Sequence, residues 1–88
     1  MPDIPQHVVA QACSHQLRAQ ILALMAGTSR SPKSVADELG EPIGSVSYHV
    51  KVLLQLEAIK LVDQQQRRGA VEHFYTARWR AHVSAERL

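Results

Sequence analysis

From Ser31 to Gln66, two short stretches with helical apolar spacing are separated by a four-residue turn and followed by a run with the period of a strand. Few folds accept that order within so little chain. Ser31 before Pro32 predicts a helix start, because a serine hydroxyl caps free N–H groups and proline suits the first helical position. Val35, Ala36 and Leu39 make one face of that helix. Gly40 can take the left-handed conformation that ends it, and Pro42 keeps Glu41 out of helical geometry while opening the next helix. Val50, Leu53 and Leu54 then follow Val46 at spacings of four, seven and eight residues, which places all of them on one helical face. The same spacing leaves Ser45, Ser47, Tyr48 and Lys51 pointing largely elsewhere.

After Glu57-Ala58 closes the second helix, the period changes. Ile59, Leu61 and Asp63 alternate with Lys60, Val62 and Gln64; Val71, His73 and Tyr75 alternate with Glu72, Phe74 and Thr76, which predicts two strands. Gln65-Gln66-Arg67-Arg68-Gly69 supplies the turn between them. A two-stranded ribbon is marginal alone, so it must lean on the helices. Upstream, Pro5 opens a short helix through Val8, Val9 and Ala12, with Asp3 favouring its positive end. Ser14 reads as the N-cap of a second helix striped by Leu17, Ile21, Leu22, Leu24 and Met25, stopped by Gly27 and followed by a polar loop over 28–31. Trp79 and Val83, four apart, mark a short terminal helix.

The expectation is one domain over 1–88, mainly α with a small β-hairpin: a short helix over 5–13, a core over 14–77 and a short terminal helix over 78–88. In the order α-α-α-α-β-β-α this is a winged helix-turn-helix. At 88 residues and 45% hydrophobic, the chain can bury a single core with little surface to spare.

Charge becomes informative once the chain is divided. The formal net charge is +2, but residues 1–44 carry three Lys or Arg against four acids, and residues 45–88 carry seven against four, giving −1 and +3. The basic excess lies in the half that holds the second helix and the ribbon, which suits a polyanion. The first residues, Met1-Pro2-Asp3-Ile4-Pro5, do not form a basic segment leading into an apolar run, and no stretch approaches the ~20 apolar residues that span a bilayer. The lone Cys13 has no internal disulfide partner. A cytoplasmic location is expected.

Four blocks together resemble a known family: Ser14-His15-Gln16-Leu17-Arg18-Ala19-Gln20-Ile21-Leu22, Ser34-Val35-Ala36-Asp37-Glu38-Leu39-Gly40, Val46-Ser47-Tyr48-His49-Val50-Lys51-Val52-Leu53, and Arg68-Gly69-Ala70-Val71-Glu72-His73-Phe74-Tyr75. Their order over about residues 10–77 resembles the ArsR-type winged helix-turn-helix transcriptional regulators of bacteria. The resemblance implies a cytoplasmic repressor, usually a homodimer, whose second turn helix reads a palindromic operator while the wing touches the flanking backbone or minor groove. Metal-sensing members have a Cys-x-Cys element near the helix before the turn, or paired His and carboxylate ligands on a long terminal helix. Here Val35-Ala36-Asp37-Glu38-Leu39 holds no Cys, and the tail after Thr76 has twelve residues with one His. These departures put metal sensing in doubt and leave open only a site between subunits that mixes the N-terminal and C-terminal helices.

The candidate DNA-contacting set is Gly44, Ser45, Ser47, Tyr48, His49, Lys51, Arg67 and Arg68. Serines bond phosphates and bases, Tyr48 can reach a phosphate or pack on a thymine methyl, and Lys51 can contact phosphate or guanine. Gly44 lets the backbone approach DNA closely. Arg67 and Arg68 at the wing tip suit phosphates and narrow minor grooves. His49 straddles the core face, so it reads either as a half-buried group orienting the helix through a local hydrogen bond or as a base contact. Ile4, Val8, Val9, Ala12, Trp79 and Val83 are the expected dimer interface, Trp because it buries a large area with few torsions to freeze.

Other chemistry finds less support. His7 and His15 are eight apart, and His82 and Glu86 form an i, i+4 pair, but no segment offers three or four convergent metal ligands. No cofactor is expected. A phosphate-cradling glycine loop and a nucleophile motif are both missing from the sequence, so no catalytic residues are expected. The rival from another class is a winged-helix protein-interaction module without DNA specificity of its own.

Overall fold

The computed structural model describes residues 10–12 and 14–78. Residues 10–12 are helical, and Ala12 is fully buried. Helix α1 (Gln16–Met25) follows, and its N-cap is His15 rather than the expected Ser14: the ring Nδ1 accepts from the Leu17 N–H at 3.2 Å. The Ser14 hydroxyl is already committed backwards, donating to the Gln11 carbonyl at 2.9 Å, and this leaves the cap to its neighbour.

Helix α2 (Pro32–Leu39) starts as its sequence predicts, with the buried Ser31 Oγ accepting from the Ser34 N–H at 3.1 Å. It ends on Gly40 at φ +67°, a conformation that glycine takes without a Cβ penalty. Only Gly40, Glu41 and Pro42 separate it from helix α3 (Ile43–Gln55). That tight connection is the helix-turn-helix. At the far end of α3 the Glu57 N–H reaches the Leu54 carbonyl at 3.0 Å and the Ala58 N–H reaches that of Leu53 at 2.9 Å, the paired bonds of a Schellman stop. Glu57 holds the left-handed position at φ 60°.

Strands β1 (Ile59–Arg67) and β2 (Ala70–Ala77) pair antiparallel, from Ile59 opposite Ala77 to Arg67 opposite Ala70. Three expectations are corrected here. Gln65, Gln66 and Arg67 belong to β1, because Arg68 and Gly69 alone turn the chain, both with positive φ. Such a two-residue turn matches the twist of the strands and lets pairing run to its edge. The simple alternation in β1 breaks at a bulge: Leu61 pairs with Tyr75 and Asp63 with Phe74, which leaves Val62 as the extra residue. Nor is 28–31 only a loop, since Arg30 bridges to Tyr75. The terminal helix expected over 78–88 lies, apart from Arg78, outside the described residues; Arg78 itself donates its N–H to the Ala58 carbonyl at 2.8 Å.

The core is where the apolar stripes meet: Leu17, Ile21, Leu22 and Met25 from α1, Val35 and Ala36 from α2, Val46, Val50 and Leu53 from α3, with Ala58 and Ile59 sealing the base of the wing. Full burial of each large side chain among these contributes roughly 1.5–3 kcal/mol. Ala12 sits inside this core. Its burial within one chain corrects the expectation that it faces a second copy.

Candidate nucleic-acid interface

Burying Val46, Val50 and Leu53 fixes the rotation of α3 about its axis and leaves a second face in solvent. Gly44, Ser45, Ser47, Tyr48 and Lys51 all lie on it, with Tyr48 61% exposed. A Cβ added at Gly44 would meet nothing within 4 Å, so the space over that turn is open. Ile43, the first residue of α3 and 51% exposed, is a residue that sequence reasoning missed. An isoleucine normally signals core, and its spacing continues the apolar stripe; only its place at the helix start leaves it in solvent.

The first turn of α3 carries another feature. Its N-cap is Pro42, which makes no side-chain cap bond, and the first α3-closing contact is Val46 N–H to the Pro42 carbonyl at 3.2 Å. The N–H groups of Ile43, Gly44 and Ser45 are therefore directed at the exposed end of the helix, where an anion would satisfy them. A proline at N-cap in place of Ser, Thr, Asp or Asn was the available sequence signal.

His49 stands apart from its neighbours. Only 7% of it is exposed, and its Nδ1 accepts from the Arg18 Nε at 3.3 Å. The ring lies 4.4 Å from that of His15 and 5.1 Å from that of Tyr48, centroid to centroid. Burial, followed by the charges of His15 and Arg18, pushes the His49 pKa below its ordinary value. Of the two readings open from sequence, the buried, hydrogen-bonded one matches the contact found, but the partner is Arg18, 31 residues earlier, rather than a local group.

The wing arginines differ from one another. Arg67 is tied down, donating to the Gln65 side chain at 2.6 Å and lying 3.7 Å from Glu72. Arg68 has no ion-pair or side-chain hydrogen-bond partner among the described residues, and the same holds for Lys51. Arg67 and Arg68 line an open groove between α2 and the hairpin together with Lys33, Ser34, Asp37 and Glu72. Lys33, paired with Asp37 at 3.1 Å, is a cation that sequence reasoning did not place near the wing. No group of three or more potential metal ligands occurs among the described residues. Of the expected dimer residues, Ile4, Val8, Val9, Trp79 and Val83 lie outside the described residues.

Comparison with known proteins gives this geometry a family. A helix-turn-helix domain model matches residues 14–62, over half of the chain. No curated protein matches. Among solved structures, the chain is similar to reduced HlyU from Vibrio cholerae, with TM-score 0.70 and 21% identity over 81% of this chain and 70% of that one. It is also similar to fragment 1–100 of Mb0332 from Mycobacterium bovis, described as the homodimeric winged helix-turn-helix DNA-binding domain of a possible ArsR-family transcriptional regulator. There the TM-score is 0.64 and the identity 22%, over 92% of this chain and 68% of that one. NolR from Sinorhizobium fredii aligns over 97% of this chain and 89% of its own, with TM-score 0.63 and 15% identity. With the turn, the core and the hairpin in place, the chain belongs to the helix-turn-helix domain family and has the winged helix-turn-helix fold.

Proposed function

We propose that this chain is a single-domain, sequence-specific DNA-binding transcriptional regulator that works in the cytoplasm as a homodimer on a palindromic operator. It represses by occupying promoter DNA and excluding polymerase. The observation that carries the reading is the exposed face of α3: small and polar side chains over an open first turn, an uncapped helix start, and Lys51 without an intramolecular partner among the described residues. Such a face fits a major groove, with serines and Lys51 on phosphates or base edges and Tyr48 on a phosphate or thymine methyl. Arg68 at the wing tip suits flanking phosphate or a narrow minor groove. A helix-turn-helix monomer reads few base pairs, so specificity calls for two half-sites about one helical turn apart. The homodimeric state of the Mb0332 domain supports extending that arrangement to this chain. Ile4, Val8, Val9, Trp79 and Val83 are proposed as the contacts between copies. No helix among the described residues is long and apolar enough to cross a membrane, in keeping with this location.

Selection of bound fragments from a random duplex pool, followed by affinity measurements across salt, tests the reading. A regulator enriches a palindrome and loses affinity steeply as salt rises, because each neutralised phosphate releases counterions. A protein with no duplex affinity at low salt is instead the interaction module. Sedimentation at micromolar concentration tests the dimer: a folded monomer overturns it, and a dimer that survives Val8→Glu with Trp79→Ala places the interface elsewhere.

A further inference from the structure

Arg18 joins three parts of the chain. Its Nε donates to His49 Nδ1 on α3, while its Nη1 donates to the Gln11 carbonyl at 2.8 Å and to the Ser14 hydroxyl at 3.4 Å. An arginine is always protonated, so the nitrogen that accepts from it must be bare and the His49 proton must sit on Nε2. The neighbouring ring is held in the same state: His15 Nδ1 is bare because it accepts the Leu17 N–H at the start of α1. The contact between α1 and the proposed reading helix thus requires a neutral imidazole, lying tilted at 44° against the ring that caps α1.

We propose that the Arg18–His49 contact, backed by His15, is a proton-operated latch on the orientation of α3: neutral His49 holds the helix against α1, and the imidazolium releases it. Among the described residues, the titratable and charged groups facing His49 are His15 and Arg18 from the start of α1 and Tyr48 from its own helix. No carboxylate stands among them to stabilise the imidazolium. A proton on Nδ1 converts the bond with Arg18 into a clash between two donors. Burial is the largest cause that lowers the His49 pKa, and the Arg18 guanidinium acts in the same direction. With the latched pKa below the released one, the latched state is fully favoured above the released value. It loses stability as pH falls through the interval down to the latched value, by at most about tenfold per pH unit for one proton.

The latch deepens the DNA-binding proposal and rests on it for its consequence, so its test has two arms. In the first, DNA-free protein is titrated by NMR from about pH 8 to about pH 5, the range in which histidine changes charge. Protonation of His49 should shift the backbone signals of α3 and those around Arg18 with one midpoint, and Arg18→Gln should move that midpoint. In the second, affinity for a selected duplex is followed over the same range. The latch predicts a fall on acidification. Simple gain of positive charge by exposed histidines predicts a rise. His49→Asn retains an uncharged acceptor near the Nδ1 position, so it should bind at the higher pH and lose the acid-dependent fall. A His49 that titrates without moving α3 overturns the latch, as does an identical pH course for wild type and His49→Asn. Absence of duplex binding at every pH refutes the DNA reading while the first arm still decides the latch.

Discussion

Arg30 and Tyr75 exchange two backbone hydrogen bonds, the Arg30 N–H to the Tyr75 carbonyl at 2.9 Å and the Tyr75 N–H to the Arg30 carbonyl at 2.8 Å. This one-residue bridge makes the loop before α2 a short third neighbour of the wing. The Arg30 side chain continues the connection, reaching Glu38 at 2.6 Å and Ser34 at 3.3 Å, both on α2. Hairpin and helix-turn-helix are thereby joined at the base of the wing, as a marginal two-stranded ribbon requires.

Thr76, next to the bridge, tests that connection. Its hydroxyl lies 3.0 Å from the Met25 carbonyl and 2.9 Å from that of Thr28, one donor shared between two acceptors at the end of α1. Thr76→Val keeps the shape and removes the donor. It should cost about 0.5–1.5 kcal/mol in denaturant unfolding, the usual net worth of such a bond. Hydrogen exchange should rise first in β2. Unchanged stability and exchange would mean that the bridge alone holds the wing.

The stop of α3 should be improvable. Glu57 occupies the left-handed position of the Schellman motif at φ 60°, where glycine carries no Cβ penalty. Its side chain is exposed, while Leu53 and Ala58 on either side are fully buried and fix the geometry. Glu57→Gly should therefore raise stability by up to about 1 kcal/mol, read as a higher denaturant midpoint at unchanged slope. Destabilisation would show that the left-handed geometry is not retained in solution.

Much of this architecture was legible from the sequence because local signals agreed with packing. Ser31-Pro32, Gly40, and the stripes through Leu17–Met25 and Val46–Leu53 each require one conformation and one buried face, and both were found. What escaped depended on partners distant in sequence. Arg30 joins the wing through Tyr75, and the bulge at Val62 serves the pairing of β1 with β2; neither leaves a local mark. The cap at His15 escaped for another reason: serine is the better cap by propensity, but the Ser14 hydroxyl was already bonded to Gln11. At the candidate site, the exposed face of α3 was readable as the complement of its apolar stripe. The role of His49 was not, since it depends on Arg18, 31 residues earlier.

On that exposed face, Tyr48 and Lys51 make no contribution to the buried core. Replacing both with Ala should leave thermal unfolding within a few degrees and weaken operator binding by roughly 1–3 kcal/mol for each side chain that bonds a base edge. The Tyr48 ring does touch that of His49, so the fold must be checked by NMR alongside the binding. Full affinity in a correctly folded variant would remove this face from the DNA interface.

Arg68 offers the sharpest separation of stability from binding. It occupies the first position of the two-residue wing turn at φ 51°, followed by Gly69 at φ 82°. Both positions of such a turn need positive φ, which is why Asn-Gly is favoured there and a long side chain at the first position is strained. Nothing among the described residues compensates, because the guanidinium has no hydrogen-bond or ion-pair partner. Arg68→Asn should then stabilise the domain by a few tenths of a kcal/mol up to about 1 kcal/mol, the scale of relieved left-handed strain. If Arg68 meets phosphate, the same variant should bind every duplex more weakly, and the slope of log affinity against log salt should flatten by about 1. The two effects have opposite signs, so general damage to the fold cannot produce both. A more stable variant with an unaltered salt slope would return Arg68 to the solvated surface, leaving α3 as the sole contact proposed for the described residues.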